Sequence, residues 1–170
     1  HYTFQLDNDP ALIAPLVDLI QQMLTGIRFC DSTERMHVGV ALEETLLNAL
    51  LHGNLELSKE DADEARKLLR QGIVAECIRQ RASASPYRER CTRVDVDLTF
   101  DAAIFKICDQ GPGFDISHAP RKRDPSTLGK DEGRGMVLVH NFMDEVEYNA
   151  SGNEITLIMR GIRQSSPNED

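Results

Sequence analysis

No apolar run in the sequence approaches the roughly 20 residues needed to cross a bilayer, and the N-terminus has neither the basic start nor the apolar stretch of a signal peptide. The chain is therefore expected to be soluble and cytoplasmic, with no membrane partner. Positive charge is also in deficit: 19 Lys and Arg stand against 28 Asp and Glu, a formal charge of −9. That average field repels phosphate backbones and anionic lipids and argues against a general nucleic-acid or membrane-surface binder. Cysteine is sparse. Cys30, Cys77, Cys91 and Cys108 are widely spread with no C-x-x-C pair, so neither a zinc site nor a disulfide framework is signalled, and reduced structural thiols are expected. A Walker P-loop is missing, so any phosphate would have to be held by a different arrangement. There is no initiating methionine; the chain starts at His1 and is expected to be an excised domain. The sequence does have 170 residues, 41% of them hydrophobic, enough for one domain over 1–170 with a sizeable core.

Tyr2, Phe4 and Leu6 alternate with Thr3 and Gln5, the pattern of a strand with one buried face. Asp9-Pro10 supplies an N-cap and a first-turn proline before Ile13, Leu16, Val17, Ile20, Met23, Leu24 and Ile27, which recur at helical spacing. Asp31-Ser32-Thr33 can cap a second helix through Val38, Ala41, Leu42, Thr45, Leu46 and Ala49, which His52-Gly53-Asn54 should stop. From about 58 to 92 the composition turns charged and small. Helices are expected near Lys59–Leu69 and residues 72–81, with a break at 83–86, as a helical insertion or a mobile excursion. Val94, Val96, Leu98 and Phe100 alternate with polar residues ahead of an apolar run from Ala103 to Cys108, a hairpin. Residues 111–135 read as loop and 136–143 as helix, while 145–149 and 154–160 flank Ala-Ser-Gly-Asn as a closing hairpin. Three helices would then cover one face of a mixed, mostly antiparallel sheet. This is an α+β fold, a two-layer α/β sandwich.

Three segments carry chemistry. On the second helix, Glu44, Asn48 and His52 are four apart and form a polar stripe about 12 Å long. Asn48 can offer a hard oxygen to Mg²⁺ on a triphosphate, and Glu44 can take a proton from an attacking hydroxyl. Glu43, about 100° round the helix, should point elsewhere. A solvated surface pair would leave the same trace, and His52 reads more simply as a helix-end histidine. The second segment, Asp109-Gln-Gly111-Pro-Gly113, leaves a strand end: its carboxylate can receive the exocyclic amine of adenine, and its glycines let the backbone approach a base. The third, Gly133-Arg134-Gly135, opens a helix near Met136, where free N–H groups and the helix dipole favour phosphate. Between the last two lie Arg121, Lys122, Arg123 and Lys130, a basic enrichment suited to screening a triphosphate and to a closing lid.

Taken together these segments resemble the GHKL, or Bergerat-fold, ATPases. Glu44…Asn48 looks like the N box, Asp109-Gln-Gly111-Pro-Gly113 like the G1 box and Gly133-Arg134-Gly135 like the G2 box, in that order. Asn48-Ala-Leu-Leu-His-Gly-Asn54 and the run from Gly133 to Glu147 are particularly similar to anti-sigma factor serine/threonine kinases. The resemblance implies ATP and Mg²⁺ as cofactors and an ATP lid at about 115–134. It implies Asn48 as the metal ligand, Glu44 as the catalytic base and Asp109 at adenine. Gly111, Gly113, Gly133 and Gly135 would shape the pocket, with Lys130 and Arg134 beside the nucleotide. It further implies phosphorylation of an anti-anti-sigma (STAS-domain) partner, sequestration of a sigma factor and, commonly, a homodimer. The charged segment after the N box departs from compact members of the family.

Two alternatives stand beside this. The catalytic domain of a sensor histidine kinase would need a phosphoacceptor histidine on a separate dimerisation helix; His37, on the N-box helix itself, is a poor acceptor. A nucleotide-gated binding module would need no carboxylate at Glu44.

Overall fold

The computed structural model describes residues 1–118 and 134–161. Five strands form one sheet in the order β1-β2-β3-β5-β4: β1 (Tyr2–Leu6), β2 (Thr92–Leu98), β3 (Ala102–Cys108), β4 (Glu145–Tyr148) and β5 (Glu154–Arg160). All four pairings are antiparallel, so the sheet is not mixed. Alternation sets its faces. In β3, Ala103, Phe105 and Ile107 are buried while Ile104 and Lys106 are exposed, and in β5 Ile155, Leu157 and Met159 are buried in the same rhythm. A single residue of register slip would turn these side chains into water, at about 1.5–3 kcal/mol for each large one.

Helices α1 (Ile13–Gly26), α2 (Ser32–Asn48) and α5 (Arg134–Phe142) are joined by α3 (Lys59–Leu69) and α4 (Glu76–Ser83). Ile20 and Leu24 of α1, Val38, Leu42 and Leu46 of α2, and Val139 of α5 enter one core with Val94, Val96, Phe105 and Leu157 of the sheet. The helix starts follow their sequence signals. Asp9 caps a short 3₁₀ turn, Pro10–Leu12, ahead of α1. Asp31 accepts from Thr33 and Glu34 N–H at 2.8 Å each, and Glu34 reaches back to the Asp31 N–H at 3.2 Å. This capping box contributes about 1 kcal/mol.

Two elements depart from the sequence reading. Helix α2 does not stop at His52 but continues as a π-helical turn, Ala49–Asn54, whose wider winding is closed by Leu55 N–H bonding Leu50 C=O at 2.9 Å. The helix expected at 72–81 begins only at Glu76, because Gly72, at φ 75°, ends α3 with bonds back to Leu69 and, through Ile73, to Leu68. Gly72 is a terminator, not a first turn.

Residues 58–92 pack on the core. Ala62, Ala65 and Ile78 are buried against the core, and the Tyr87 ring lies between the guanidinium groups of Arg81 and Arg90, 4.6 and 5.1 Å from its centre. Arg90 also bonds Glu56 at 2.6 Å and the Asn54 C=O at 2.9 Å, tying the segment to the end of the π-helical turn. The four cysteines are all free. Among the described residues no helix is long and apolar enough to cross a membrane.

Candidate active site: a cavity between helix α2 and the strand ends

A cavity of about 400 Å³ opens between α2 with its π-helical turn on one side and the ends of β3, β4 and β5 on the other. Asn48, His52, Asp109, Gly113, Met136, Tyr148 and Ile155 are among its lining residues. The walls are mostly apolar with polar groups at two ends, as a small-molecule site requires.

At one end sits Asp109, just past β3. Its N–H bonds the Asn153 C=O at 3.0 Å, and its Oδ1 accepts the Gly111 N–H at 2.8 Å. Burial pushes its pKa from 3.8 up to about 6, so ionised Asp109 is short of donors and favours a ligand that brings an N–H. Gly53 lies so close that a Cβ there would strike the Asp109 carboxylate, and a Cβ on Gly111 would strike the Gly53 backbone. Gly113 has φ 75° and its open side faces the backbone of Ser151; a side chain would fail on both counts. Asn54, fully buried, locks the arrangement: it accepts the Gln110 N–H at 2.9 Å and donates to Asn8 at 2.9 Å and Thr92 at 3.0 Å.

At the other end, one helical turn beyond the lining residue Asn48, Glu44 is half-buried and turned inward while Glu43 is exposed, as the helical spacing predicts. A Cβ on Gly135 would strike Glu44 Oε2, so the first turn of α5 lies directly against that carboxylate. Arg66, from α3, bridges the stripe: Nη1 donates to Glu44 Oε2 at 3.0 Å and Nη2 to Asn48 Oδ1 at 2.6 Å. His52 lines the cavity; although it is exposed to solvent there, partial desolvation by the surrounding chain, with Arg66 nearby, lowers its pKa, keeping the imidazole neutral at pH 7.

The first and second segments thus meet at Gly53, Asp109 and Gly111, and the first and third at Glu44 and Gly135. Lys130 and Gly133 lie outside the described residues, as does most of the 115–134 stretch expected to be a lid; Arg134 opens α5. The chain matches the histidine kinase-like ATPase domain over residues 6–159, a span that takes in all three segments. It belongs to the histidine kinase-like ATPase domain family. No curated protein matches the chain. Family membership makes this an ATP-binding domain of GHKL type with ATP-utilising, kinase-like chemistry.

Several residues of this ATPase site were not singled out from sequence. Arg66 is hidden in a charged helix whose face cannot be assigned without knowing what it packs on. Asn54 looked like a helix stop and is a structural bridge. Tyr148 and Phe114 line the cavity with rings 5.5 Å apart, edge to face, and Tyr148 OH lies 3.3 Å from His140 Nε2. Burial pushes the Tyr148 pKa up to about 12, so it stays a neutral phenol. Phe114, next to Gly113, was the one with a local signal.

Among the described residues no group of three or more His, Cys, Asp and Glu could hold a metal on its own. The donors do suit a cation shared with a phosphate: the Glu44 carboxylate and Asn48 amide oxygens already hold one, the Arg66 guanidinium. Mg²⁺ commonly uses one or two protein oxygens and takes the rest from phosphates and water.

Proposed function

We propose that the domain is a protein serine/threonine kinase of the anti-sigma factor type, which binds Mg·ATP in this cavity and phosphorylates an anti-anti-sigma, STAS-domain partner. The observation that carries the reading is the contact of Glu44 with the first turn of α5, beside Asn48: a carboxylate, an amide oxygen and a helix N-terminus converge on one spot. Asp109 stands at the far end of the same cavity.

In this reading Asp109 accepts the exocyclic amine of adenine, while Met136, Ile107 and Ile155 give the base apolar contact. The N–H groups at Gly135 and the start of α5 meet the phosphates. Asn48 holds the metal, which when bound would neutralise phosphate charge in the transition state. Glu44 accepts the proton of the attacking hydroxyl. Gly133, Arg134 and Lys130 belong to the phosphate-facing side by their place in the resemblance, and residues 115–134 to a lid. Sigma-factor sequestration and a homodimer belong to the same proposal.

The test is incubation of the domain with γ-labelled ATP and STAS-domain proteins. Acid-stable phosphoserine or phosphothreonine on a partner, lost in Glu44→Gln, supports the kinase. Acid-labile phosphohistidine points instead to a sensor-kinase catalytic domain, and nucleotide-dependent partner binding without transfer to a gated binding module.

A further inference from the structure

We infer that Arg66 is a positioning residue that occupies the metal-binding oxygen of Asn48 and the proton-accepting oxygen of Glu44 until a divalent cation displaces it. This inference rests on the Mg·nucleotide reading of the cavity. It begins from the way one guanidinium spans both functional groups of the α2 stripe, Glu44 at 3.0 Å and Asn48 at 2.6 Å. These are charge-assisted bonds in a half-buried place: the Arg66 side chain is only 14% exposed and that of Glu44 28%. Such bonds are about twice as strong as neutral ones, and the planar fork suits two acceptors one helical turn apart.

The consequence follows from charge. Asn48 Oδ1 cannot be shared between the guanidinium and a divalent cation, because two positive centres a few ångströms apart in a partly desolvated site repel strongly. Loading the metal position therefore requires the guanidinium to leave Asn48. The same departure frees Glu44 Oε2, which while bound to Arg66 is a masked proton acceptor. Metal occupancy and exposure of the base are thereby coupled through one side chain. Asp63, three residues earlier on α3 and exposed, lies on the same helix face and offers the displaced guanidinium a new partner. The fixed end of the lever is α3, whose Ala62 and Ala65 are fully buried in the core. The movement is thus a side-chain rotation and leaves the helix in place.

The experiment is calorimetric titration of ADP into the protein in excess Mg²⁺ and in EDTA, for the unaltered chain, Arg66→Ala, Arg66→Lys and Lys67→Ala, with circular dichroism checking each fold. The readout is the gain in ADP affinity that Mg²⁺ confers. Removing the competing guanidinium should raise that gain about tenfold or more in Arg66→Ala. Arg66→Lys, which keeps the charge and loses the fork, should fall between. Lys67→Ala, removing an exposed neighbouring cation, should leave the gain unchanged. An unchanged or smaller gain in Arg66→Ala, or a rise in Lys67→Ala equal to that in Arg66→Ala, overturns the assignment; if Arg66→Ala does not fold, a gain in Arg66→Lys no larger than that of the unaltered protein overturns it. ADP binding by the unaltered chain with an Mg²⁺ gain that Arg66→Ala does not raise would leave the nucleotide reading standing while the Arg66 assignment falls. No ADP binding by well-folded unaltered protein under either condition overturns both.

Discussion

The two ends of the cavity are built differently. Around Asp109 the geometry is fixed by backbone: Gly53, Gly111 and Gly113 admit no side chains, and buried Asn54 ties the π-helical turn, β2 and the Asp109 loop together. Around Glu44 and Asn48 it is set by side chains from α2 and α3 against the Gly135 backbone of α5, with a single arginine satisfying both acceptors. The first end is a packed mould, and the second is a set of groups held in place by charge. A rigid aromatic base is best met by the former, whereas a metal and a transferring phosphoryl group need ligands that can exchange partners.

That contrast can be broken by substitution, and the largest effect is expected at the charged end. Glu44→Gln should reduce phosphoryl transfer by about 10²–10⁴-fold while nucleotide affinity and melting temperature stay close to those of the unaltered protein; single-turnover transfer measured beside calorimetry checks both. A comparable loss of ADP binding would mean that Glu44 shapes the site and does not act as a base.

At the packed end, stability and binding should fall together. Asn54→Ala removes a buried group with bonds to Gln110, Asn8 and Thr92. It should cost about 2 kcal/mol or more, read from urea unfolding, with weaker ADP binding. Stability within a few tenths of a kcal/mol of the original would show that the two ends are not built differently.

A pH series sharpens the comparison. Asp109 must be ionised to accept the adenine amine, and its pKa is raised to about 6. ADP affinity should therefore be constant above about pH 7 and fall as pH drops through 6, by about tenfold at pH 5. For folding the sign runs the other way. With a folded pKa above the unfolded value, the native state holds its proton more tightly, and Asp109 weakens stability as pH rises from about 4 to 6. Asp109→Asn should flatten both profiles. The smallest effect is expected from Glu43→Gln, which changes an exposed side chain one residue from Glu44 and should alter neither transfer nor stability measurably.

Much of this could be read along the chain because the relevant signals are local. Alternation gave β1 and β2, an apolar run gave β3 and a turn signal the closing hairpin of β4 and β5; Asp9 and Asp31 marked helix starts, and the spacing of Glu44 and Asn48 placed both on one helix face, with Glu43 turned away. The misreadings also have local causes. Gly72 can open a helix or close one, and only its φ of 75° and the bonds back to Leu68 and Leu69 decide. Gly53 suits a helix stop, yet the chain winds on through it as a π turn to Asn54, with Gly53 packed against the Asp109 carboxylate.

Residue order and type were enough to establish an α+β sandwich, its buried faces and the three segments of a GHKL-type ATPase, because side-chain periodicity and turn chemistry act over a few residues. The tertiary structure alone decided that residues 58–92 pack on the core, that Asn54 bridges the second segment, and that Arg66 lies across Glu44 and Asn48. Those contacts join positions 18 to 56 residues apart. Which face of a charged helix meets which partner depends on the whole fold, and no short window of sequence encodes it.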